Sequence, residues 1–231
     1  MQQYTNCYIA FLDILGFKNL IKTKSCDYIY GIFSEHMKNP IGRFSLGTKS
    51  IVNMDDVKVK VMSDSICFYI DSQITNALVG LLAACQYFQA KLLELPEPIL
   101  SRGAIVRGDL FTTGDVIFGP GFVDAYLLEE NSAKYPRIIM TIATIESARD
   151  TTAAALADFV FQHTFRDFDE FITIDVLELF EGLDMDGGKC FHLLSHIDNV
   201  LGSTADNSIR DKYLYLKKQL LRWYRPKQSS T

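Results

Sequence analysis

The feature that most constrains this chain is an apolar run that ends in a single carboxylate. Residues 7–12 read Cys-Tyr-Ile-Ala-Phe-Leu, Asp13 follows them, and Gly16 breaks the run shortly afterwards. Such a short, continuous apolar run predicts a buried strand over residues 7–13. Because an unpaired buried charge is costly, Asp13 requires a positive partner.

A second isolated carboxylate lies in a similar setting. Residues 56–61 alternate Val with Lys or Asp, and residues 66–70 are again apolar, so residues 62–65 are predicted to form the tight turn of a hairpin. If this hairpin lies beside the first strand, Asp64 at its tip approaches Asp13. Mg²⁺ and Mn²⁺ often bind two carboxylates and complete their shell with phosphate and water. Alternatively, Asp13 only caps a helix and Asp64 only occupies a turn.

Composition excludes several classes of protein. The chain has 231 residues, of which 48% are hydrophobic, so it can bury a full core as one sizeable domain or as one domain plus an appendage. A net charge of -5 argues against a protein that wraps nucleic acid. The longest apolar stretch, at 77–85, is too short to cross a bilayer. Five cysteines without ligand spacing, and no signal peptide, predict a cytoplasmic location.

The order of predicted elements indicates an α+β fold, with an antiparallel-centred sheet covered by helices on one face. The carboxylates at 150 and 167–170 are typical of a solvated surface. Besides the strand and hairpin above, we expect helices at 17–38, 73–94, 122–130, 144–158, 190–200 and 208–224, strands at 103–106, 137–140 and 168–176, and a long loop at 39–53.

Several segments together resemble one family. The stretch Phe11-Leu12-Asp13-Ile14-Leu15-Gly16-Phe17 resembles the F-x-D-I-x-G-F signature of class III nucleotidyl cyclases. Residues 60–64 are similar to the family's K-x-x-G-D hairpin, with Ser63 in place of glycine. Residues 102–108 resemble its R-x-G-I-x-x-G strand, and residues 118–129 and 137–140 resemble the turn, helix and strand that follow.

The resemblance implies a cyclase-like (ferredoxin-like or palm) catalytic domain over residues 1–180, with residues 181–231 as its C-terminal helical extension. It implies a homodimer with active sites at the interface and two Mn²⁺ or Mg²⁺ ions per site. The implied residues are Asp13, Ile14 and Asp64 for metal, Asp13, Asp64 and Arg102 for catalysis, and Gly16, Phe17, Lys60, Arg102, Lys134 and Arg137 for substrate. Backbone N–H groups of residues 14–17 are expected to bind the triphosphate.

The positions at which this sequence differs from the family pattern bear on which nucleotide base the protein selects. The adenine-selecting Asp of purine cyclases corresponds to Val116, with Asp115 one position away. The family's Asn and transition-state Arg correspond to Val123 and Leu127. A compact chain with these losses resembles the pyrimidine cyclases of the Pycsar antiviral system. This implies that UTP is converted to 3′,5′-cyclic UMP and diphosphate, with the product acting on a separate effector. Arg102 is purely a donor and suits the carbonyls of uracil, but cytosine also has a carbonyl, so CTP remains open.

Other interpretations remain open. Arg102 could pair with a structural carboxylate, Lys60 could be a solvated strand residue, and Lys134 and Arg137 could be surface residues. The chain could also be a catalytically inactive cyclase-like domain that binds a nucleotide as a sensor. A palm-type polymerase or cyclic dinucleotide synthase would normally show paired acids, whereas this hairpin carries one.

Overall fold

The computed structural model describes residues 2–38, 52–153, 157, 160–178 and 188–224. A short 3₁₀ turn at Met54–Asp56 precedes the second strand. In chain order, the strands and helices are β1 (Thr5–Ile14), α1 (Phe17–Thr23), α2 (Cys26–Lys38), β2 (Lys58–Met62), β3 (Ser65–Asp71), α3 (Ala77–Leu93), β4 (Ser101–Thr113), β5 (Val116–Phe118), α4 (Pro120–Ser132), β6 (Ile138–Met140), α5 (Ile142–Glu146), β7 (Thr164–Arg166), β8 (Ile172–Ile174), α6 (Gly188–Ser203) and α7 (Asn207–Tyr224).

The strands form one mixed sheet with β1 in its interior. Across the described residues the order is β2-β3-β1-β4-β6-β8-β7, and β5 pairs with β4 as a hairpin. Both neighbours of β1 are antiparallel to it, whereas β6 joins β4 in parallel. The predicted α+β class with an antiparallel-centred sheet is therefore confirmed.

Helices cover both faces of the sheet, not one as the sequence led us to expect. Alternate residues of a strand point to opposite faces. Tyr8, Ala10 and Leu12 pack into the core cluster that contains α3, whereas Ile9 and Phe11 cluster with Ala125 of α4. Because β1 is buried on both sides, its apolar run lacks the polar alternation of a half-exposed strand.

The C-terminal helices pack against the end of α3. Ala90 and Leu93 of α3 share a second apolar cluster with residues of α6 and α7: Cys190, Leu193, Ile197, Leu216 and Leu220. Since α3 is buried on nearly its whole circumference, it lies between the sheet on one side and these helices on the other. None of the helices in the described ranges is long and apolar enough to cross a membrane.

Most element positions agree with the sequence patterns, including the hairpin of β2 and β3. The expected helix at 17–38 is divided, because Lys24 is extended and the Ser25 hydroxyl accepts a hydrogen bond from the Tyr28 N–H at 3.2 Å, which starts a new helix. Of the expected strand at 168–176 only β8 is observed, and it pairs with β7, which was not expected. The turn that connects the two strands places Glu170 at a φ of 71°.

Helix α5, which begins at Ile142 and ends at Glu146, covers only the start of the expected helix at 144–158, and residues 147–151 form turns. Most of the expected loop at 39–53 lies outside the described residues, as do residues 154–156 and 158–159.

Helix α4 lies unusually close to β4. A Cβ built on Gly108 would lie 2.6 Å from the Cα of Gly121, and one built on Gly121 would lie 2.8 Å from the Gly108 backbone. Only glycine permits such an approach at either position. This contact fixes α4 on β4 and, as described below, brings a helix carboxylate to the ends of the central strands.

Candidate active site

The ends of three neighbouring strands bring Asp13, Asp64 and Arg102 together. In the sheet register, Asp13 of β1 lies opposite Ser65 of β3 on one side and opposite Arg102 of β4 on the other. The Ile14 N–H donates a hydrogen bond to the Asp64 carbonyl at 3.0 Å, which attaches the β2–β3 turn to the end of β1. The side chains of Asp13 and Asp64 are half-buried, so both remain open to a ligand.

Ser63 gives this turn its shape. Met62 pairs with Ser65, which leaves Ser63 and Asp64 as the two turn residues. Ser63 has a φ of 60°, in the left-handed region that favours glycine. Because Ser63 has a side chain at this φ, the turn that carries Asp64 retains backbone strain.

Arg102 makes the main electrostatic contact of the site. Its Nε–H donates to Asp13 Oδ2 at 3.1 Å, and the same Nε lies 2.8 Å from Glu129 Oε1. Its Nη1 donates to the Ala133 carbonyl at 3.3 Å. Arg102 therefore has both kinds of partner that its place at the start of an apolar strand requires: carboxylates and a carbonyl.

Glu129 is a member of this site that the sequence did not identify. Its side chain is 3% exposed, and its Oε1 accepts no hydrogen bond from the residues that the structure describes. Burial raises its pKa to about 7, an effect that Arg102 opposes and Asp13 reinforces. The neighbouring Glu130 is exposed, so the two acids differ only in the face of α4 on which they lie. The local sequence gives no clear signal that Glu129 is the buried one.

The donor set suits a hard divalent cation. Asp13 and Asp64 supply carboxylate oxygens, and the partner of Asp13 in this structure is itself a cationic group. Across the described ranges no group of three or more His, Cys, Asp or Glu side chains is arranged to hold a metal. A site with two carboxylates agrees with Mg²⁺ or Mn²⁺, which take their remaining ligands from water and phosphate. The assignment of Ile14 as a carbonyl ligand remains a prediction.

The expected backbone donors are partly used within the fold. The Ile14 N–H bonds to Asp64, and the Leu15 N–H donates to the Leu100 carbonyl at 2.9 Å. These two groups therefore cannot bind a triphosphate in this structure, and the prediction is restricted to Gly16 and Phe17. Gly16 has a φ of 77° where the chain turns into α1. The Phe17 ring is buried against Phe33, so its side chain cannot contact a ligand and the prediction concerns its backbone.

Two predicted substrate lysines lie outside the carboxylate cluster. Lys60 on β2 donates from Nζ to the carbonyl of Gly114, in the turn between β4 and β5. Lys134 is exposed just beyond the end of α4, directly after the Ala133 that receives Arg102. Lys134 is thus placed where a ligand could reach it, whereas Lys60 is held by the hairpin.

The structure corrects the role that the sequence predicted for Arg137. It was expected either to bind substrate or to lie on the surface, but its side chain is 2% exposed. Its guanidinium binds Asp167 Oδ2 at 2.5 Å and both carboxylate oxygens of Asp169. Tyr215 of α7 donates to the same Asp167 oxygen at 2.5 Å. Asp167 and Asp169 therefore form an ion-pair network around the buried Arg137, whereas both acids were expected on a solvated surface. Arg137 is occupied within this network.

Structural comparison identifies the fold. The chain is similar to the monomeric guanylyl cyclase domain of the RhoGC fusion protein from the aquatic fungus Blastocladiella emersonii, with a TM-score of 0.52, 12% identity, and coverage of 75% of this chain and 98% of that one. Also similar are the guanylate cyclase domain of RhGC from Catenaria anguillulae in complex with GTP (TM-score 0.48, 13% identity, covering 64% and 84%) and the adenylyl cyclase CyaB from P. aeruginosa (0.46, 13%, covering 75% and 94%).

No family model matches the sequence, and comparison with curated proteins found no significant match. At these identities the likeness concerns the arrangement of strands and helices. The fold that the sequence motifs implied is confirmed. The chain has the fold of a guanylyl cyclase domain.

Proposed function

We propose that this protein is a nucleotide cyclase that converts UTP to 3′,5′-cyclic UMP and diphosphate. The observation that carries the proposal is the convergence of Asp13, Asp64 and Arg102 at adjacent strand ends on a cyclase-domain fold. The comparison with solved structures supports the fold, and the residues at the site support the chemistry.

The proposed roles follow from position and charge. Asp13 and Asp64 would hold two Mn²⁺ or Mg²⁺ ions, which supply positive charge that acidifies the ribose 3′-hydroxyl and neutralises the phosphates. Gly16 and Phe17 present backbone N–H groups to the triphosphate at the start of α1. Arg102 donates to phosphate or to a pyrimidine carbonyl, and Lys134 adds an exposed positive charge beside it. The attack on the α-phosphate is thus promoted by positioning and electrostatics.

Base selection rests on residues that purine cyclases use and this chain lacks. The position of the adenine-selecting Asp carries Val116, which has no hydrogen-bonding side chain, and the nearest acid, Asp115, lies one position away. Val123 and Leu127 stand where the family has its Asn and its transition-state Arg, so the set of residues that reads a purine is incomplete. Arg102 offers only donors, which agrees with the two carbonyls of uracil. Cytidylate cyclisation, from CTP to cyclic CMP, is the alternative within the same chemistry.

A homodimer is part of the proposal. Apolar side chains are exposed along α4 and the adjacent β5 strand: Val116, Phe118, Val123, Tyr126 and Leu127. An apolar surface of this kind beside a site is typical of a protein–protein interface. We infer that two copies meet there, with each active site completed at the interface. Light scattering of the purified full chain should give the mass of a dimer, and a monomer that cyclises UTP at full rate would contradict this.

The wider role follows from the resemblance to Pycsar enzymes. We propose that residues 1–180 form the catalytic domain and that residues 181–231 form a helical extension of it. Cyclic UMP would act as an antiviral second messenger on a separate effector in the cytoplasm. No nucleic acid or membrane partner is part of the proposal.

A catalytically inactive nucleotide sensor is the second candidate. Two observations favour it: Arg102 is bound to Asp13, and the positions of the family's Asn and Arg are occupied by Val123 and Leu127. The deciding experiment is incubation of the full chain with each of the four ribonucleoside triphosphates and Mn²⁺, with products resolved by mass spectrometry. Cyclic UMP supports the proposal and cyclic CMP supports the cytidylate alternative. Only cyclic AMP or GMP would overturn the pyrimidine assignment, and nucleotide binding without product would favour the sensor.

A further inference from the structure

The site contains a buried carboxylate to which the proposed reaction assigns no role. Glu129 on α4 has a 3% exposed side chain, and its Oε1 lies 2.8 Å from Arg102 Nε. In the described part of the chain that oxygen accepts no hydrogen bond. Buried polar atoms without a hydrogen bond are rare in folded proteins and cost free energy, and this one has only the ion pair with Arg102, so it calls for an explanation.

One N–H group faces two carboxylates here. Arg102 Nε carries a single hydrogen, which is directed to Asp13 Oδ2 at 3.1 Å. Glu129 Oε1 is closer to the nitrogen but lies outside the direction of that bond. The other end of the guanidinium is held by the Ala133 carbonyl, in the chain segment that ends α4. A small rotation about this held end would move the N–H from Asp13 to Glu129.

We propose that Glu129 is a positioning residue that takes the Arg102 guanidinium from Asp13 when Asp13 binds a divalent cation. The inference rests on the proposed function in one respect, since it requires Asp13 to be a cation ligand. A metal ion and a guanidinium repel each other and compete for the same carboxylate. Glu129 provides the displaced Arg102 with a buried counter-charge within hydrogen-bond distance, so Asp13 is released without leaving a cation unpaired.

The arrangement of α4 supports this exchange. Glu129 belongs to α4, and Ala133, whose carbonyl binds Arg102, directly follows the last residue of that helix. The close contact between Gly108 and Gly121 holds the same helix against β4, the strand that carries Arg102. Glu129 and the Ala133 carbonyl are therefore held in place relative to the backbone of Arg102. Only the side chain has to move.

The proposal is tested by titrating the nucleotide-free full chain with Mn²⁺. Electron paramagnetic resonance measures the Mn²⁺ that remains free. Glu129→Gln should weaken Mn²⁺ binding about tenfold, as is typical when a group that supports a ligand is lost. The matched control Glu130→Gln removes the neighbouring exposed carboxylate and should bind Mn²⁺ as the unmodified chain does. If Glu129→Gln does not fold, Glu129→Asp withdraws the carboxylate while keeping its charge and should also weaken binding.

Removal of Arg102 separates the two ways in which Glu129 could act. In Arg102→Gln no guanidinium competes for Asp13, so Arg102→Gln and the double variant Arg102→Gln/Glu129→Gln should bind Mn²⁺ equally. A weaker double variant would mean that Glu129 ligates the metal directly, and would overturn the proposal. So would normal Mn²⁺ binding by folded Glu129→Gln. Asp13→Asn reports on the proposed function instead: if it still binds Mn²⁺ normally, Asp13 is not a ligand and the metal site itself is wrong.

Discussion

Asp13 and Arg102 lie directly opposite each other on antiparallel strands, and the Arg102 Nε–H donates to Asp13 Oδ2 at 3.1 Å. The carboxylate proposed to bind metal is thus already neutralised by a cation from the neighbouring strand. Asp64 lies in the hairpin turn, two residues after the end of β2. Its backbone carbonyl accepts a hydrogen bond from the Ile14 N–H, which holds the turn beside Asp13. The two acids therefore differ in what their removal does to the fold.

Replacement of Asp64 by Asn should abolish turnover and leave stability nearly unchanged. The contact that Asp64 makes with Ile14 uses its backbone carbonyl, which the substitution retains. Loss of a metal carboxylate removes several kcal/mol of transition-state stabilisation, so we expect a decrease in cyclisation rate of at least about 10³-fold. Product formation and thermal unfolding measured on the same sample test both parts. Asp211→Asn, at an exposed position of α7, is the matched control and should keep full activity. A folded Asp64→Asn that cyclises UTP at a normal rate would contradict the metal-site assignment.

Replacement of Ser63 by glycine should stabilise the protein. Ser63 has a φ of 60°, which an L side chain adopts at a cost of about 1 kcal/mol and glycine adopts freely. Urea unfolding should therefore give a free energy of unfolding about 1 kcal/mol higher for Ser63→Gly, although the greater freedom of glycine in the unfolded chain offsets part of the gain. Ser63→Ala keeps the Cβ and serves as the control for the hydroxyl group. Equal stability of the glycine and alanine variants would mean that the turn stores no strain.

Replacement of Arg137 by Met should destabilise the fold strongly. The substitution leaves Asp167 and Asp169 without the buried cation that both of them bind. Removing one partner of a buried ion pair typically costs about 3–5 kcal/mol. Arg166→Met is the matched control, because the Arg166–Glu170 pair is exposed and such pairs contribute at most about 1 kcal/mol. Chemical denaturation of both variants measures the difference. If the two lose equal stability, Arg137 does not have the structural role assigned to it here.

The patterns that local sequence carries were sufficient for much of this fold and for part of the site. The burial of β1, the hairpin turn at Asp64 and the position of Arg102 all follow from the alternation or continuity of apolar residues along short segments. The partners of Arg102 and Arg137 do not follow from such local patterns. Arg137 meets Asp167 across 30 residues of chain, and that pairing depends on how β6, the β7–β8 turn and α7 pack together. Glu129 and Glu130 are adjacent acids, and only the orientation of α4 on β4 decides which one is buried.

The pH dependence of stability should include a contribution from His163. Burial lowers its pKa, and the Gln86 Nε2 lies 3.1 Å from its Nδ1, a contact that requires Nδ1 to accept a hydrogen bond and therefore to be unprotonated. Below its ordinary pKa of about 6.5 the unfolded chain binds a proton that the folded chain resists, so stability is present above that pH and is lost as the pH falls through it.

Free energies of unfolding at pH 7.5 and 5.5 test this. The unmodified chain should lose more stability over that interval than His163→Gln does, because the variant has no imidazole to protonate. His192→Gln, on an exposed part of α6, should keep the His163 contribution and change only that of the neighbouring His196, whose pKa burial and the charge of His192 both lower. An identical pH dependence in His163→Gln would show that His163 titrates with the same pKa in the folded and unfolded states, and that its burial among Gln86 and its neighbours does not disfavour the charged imidazole.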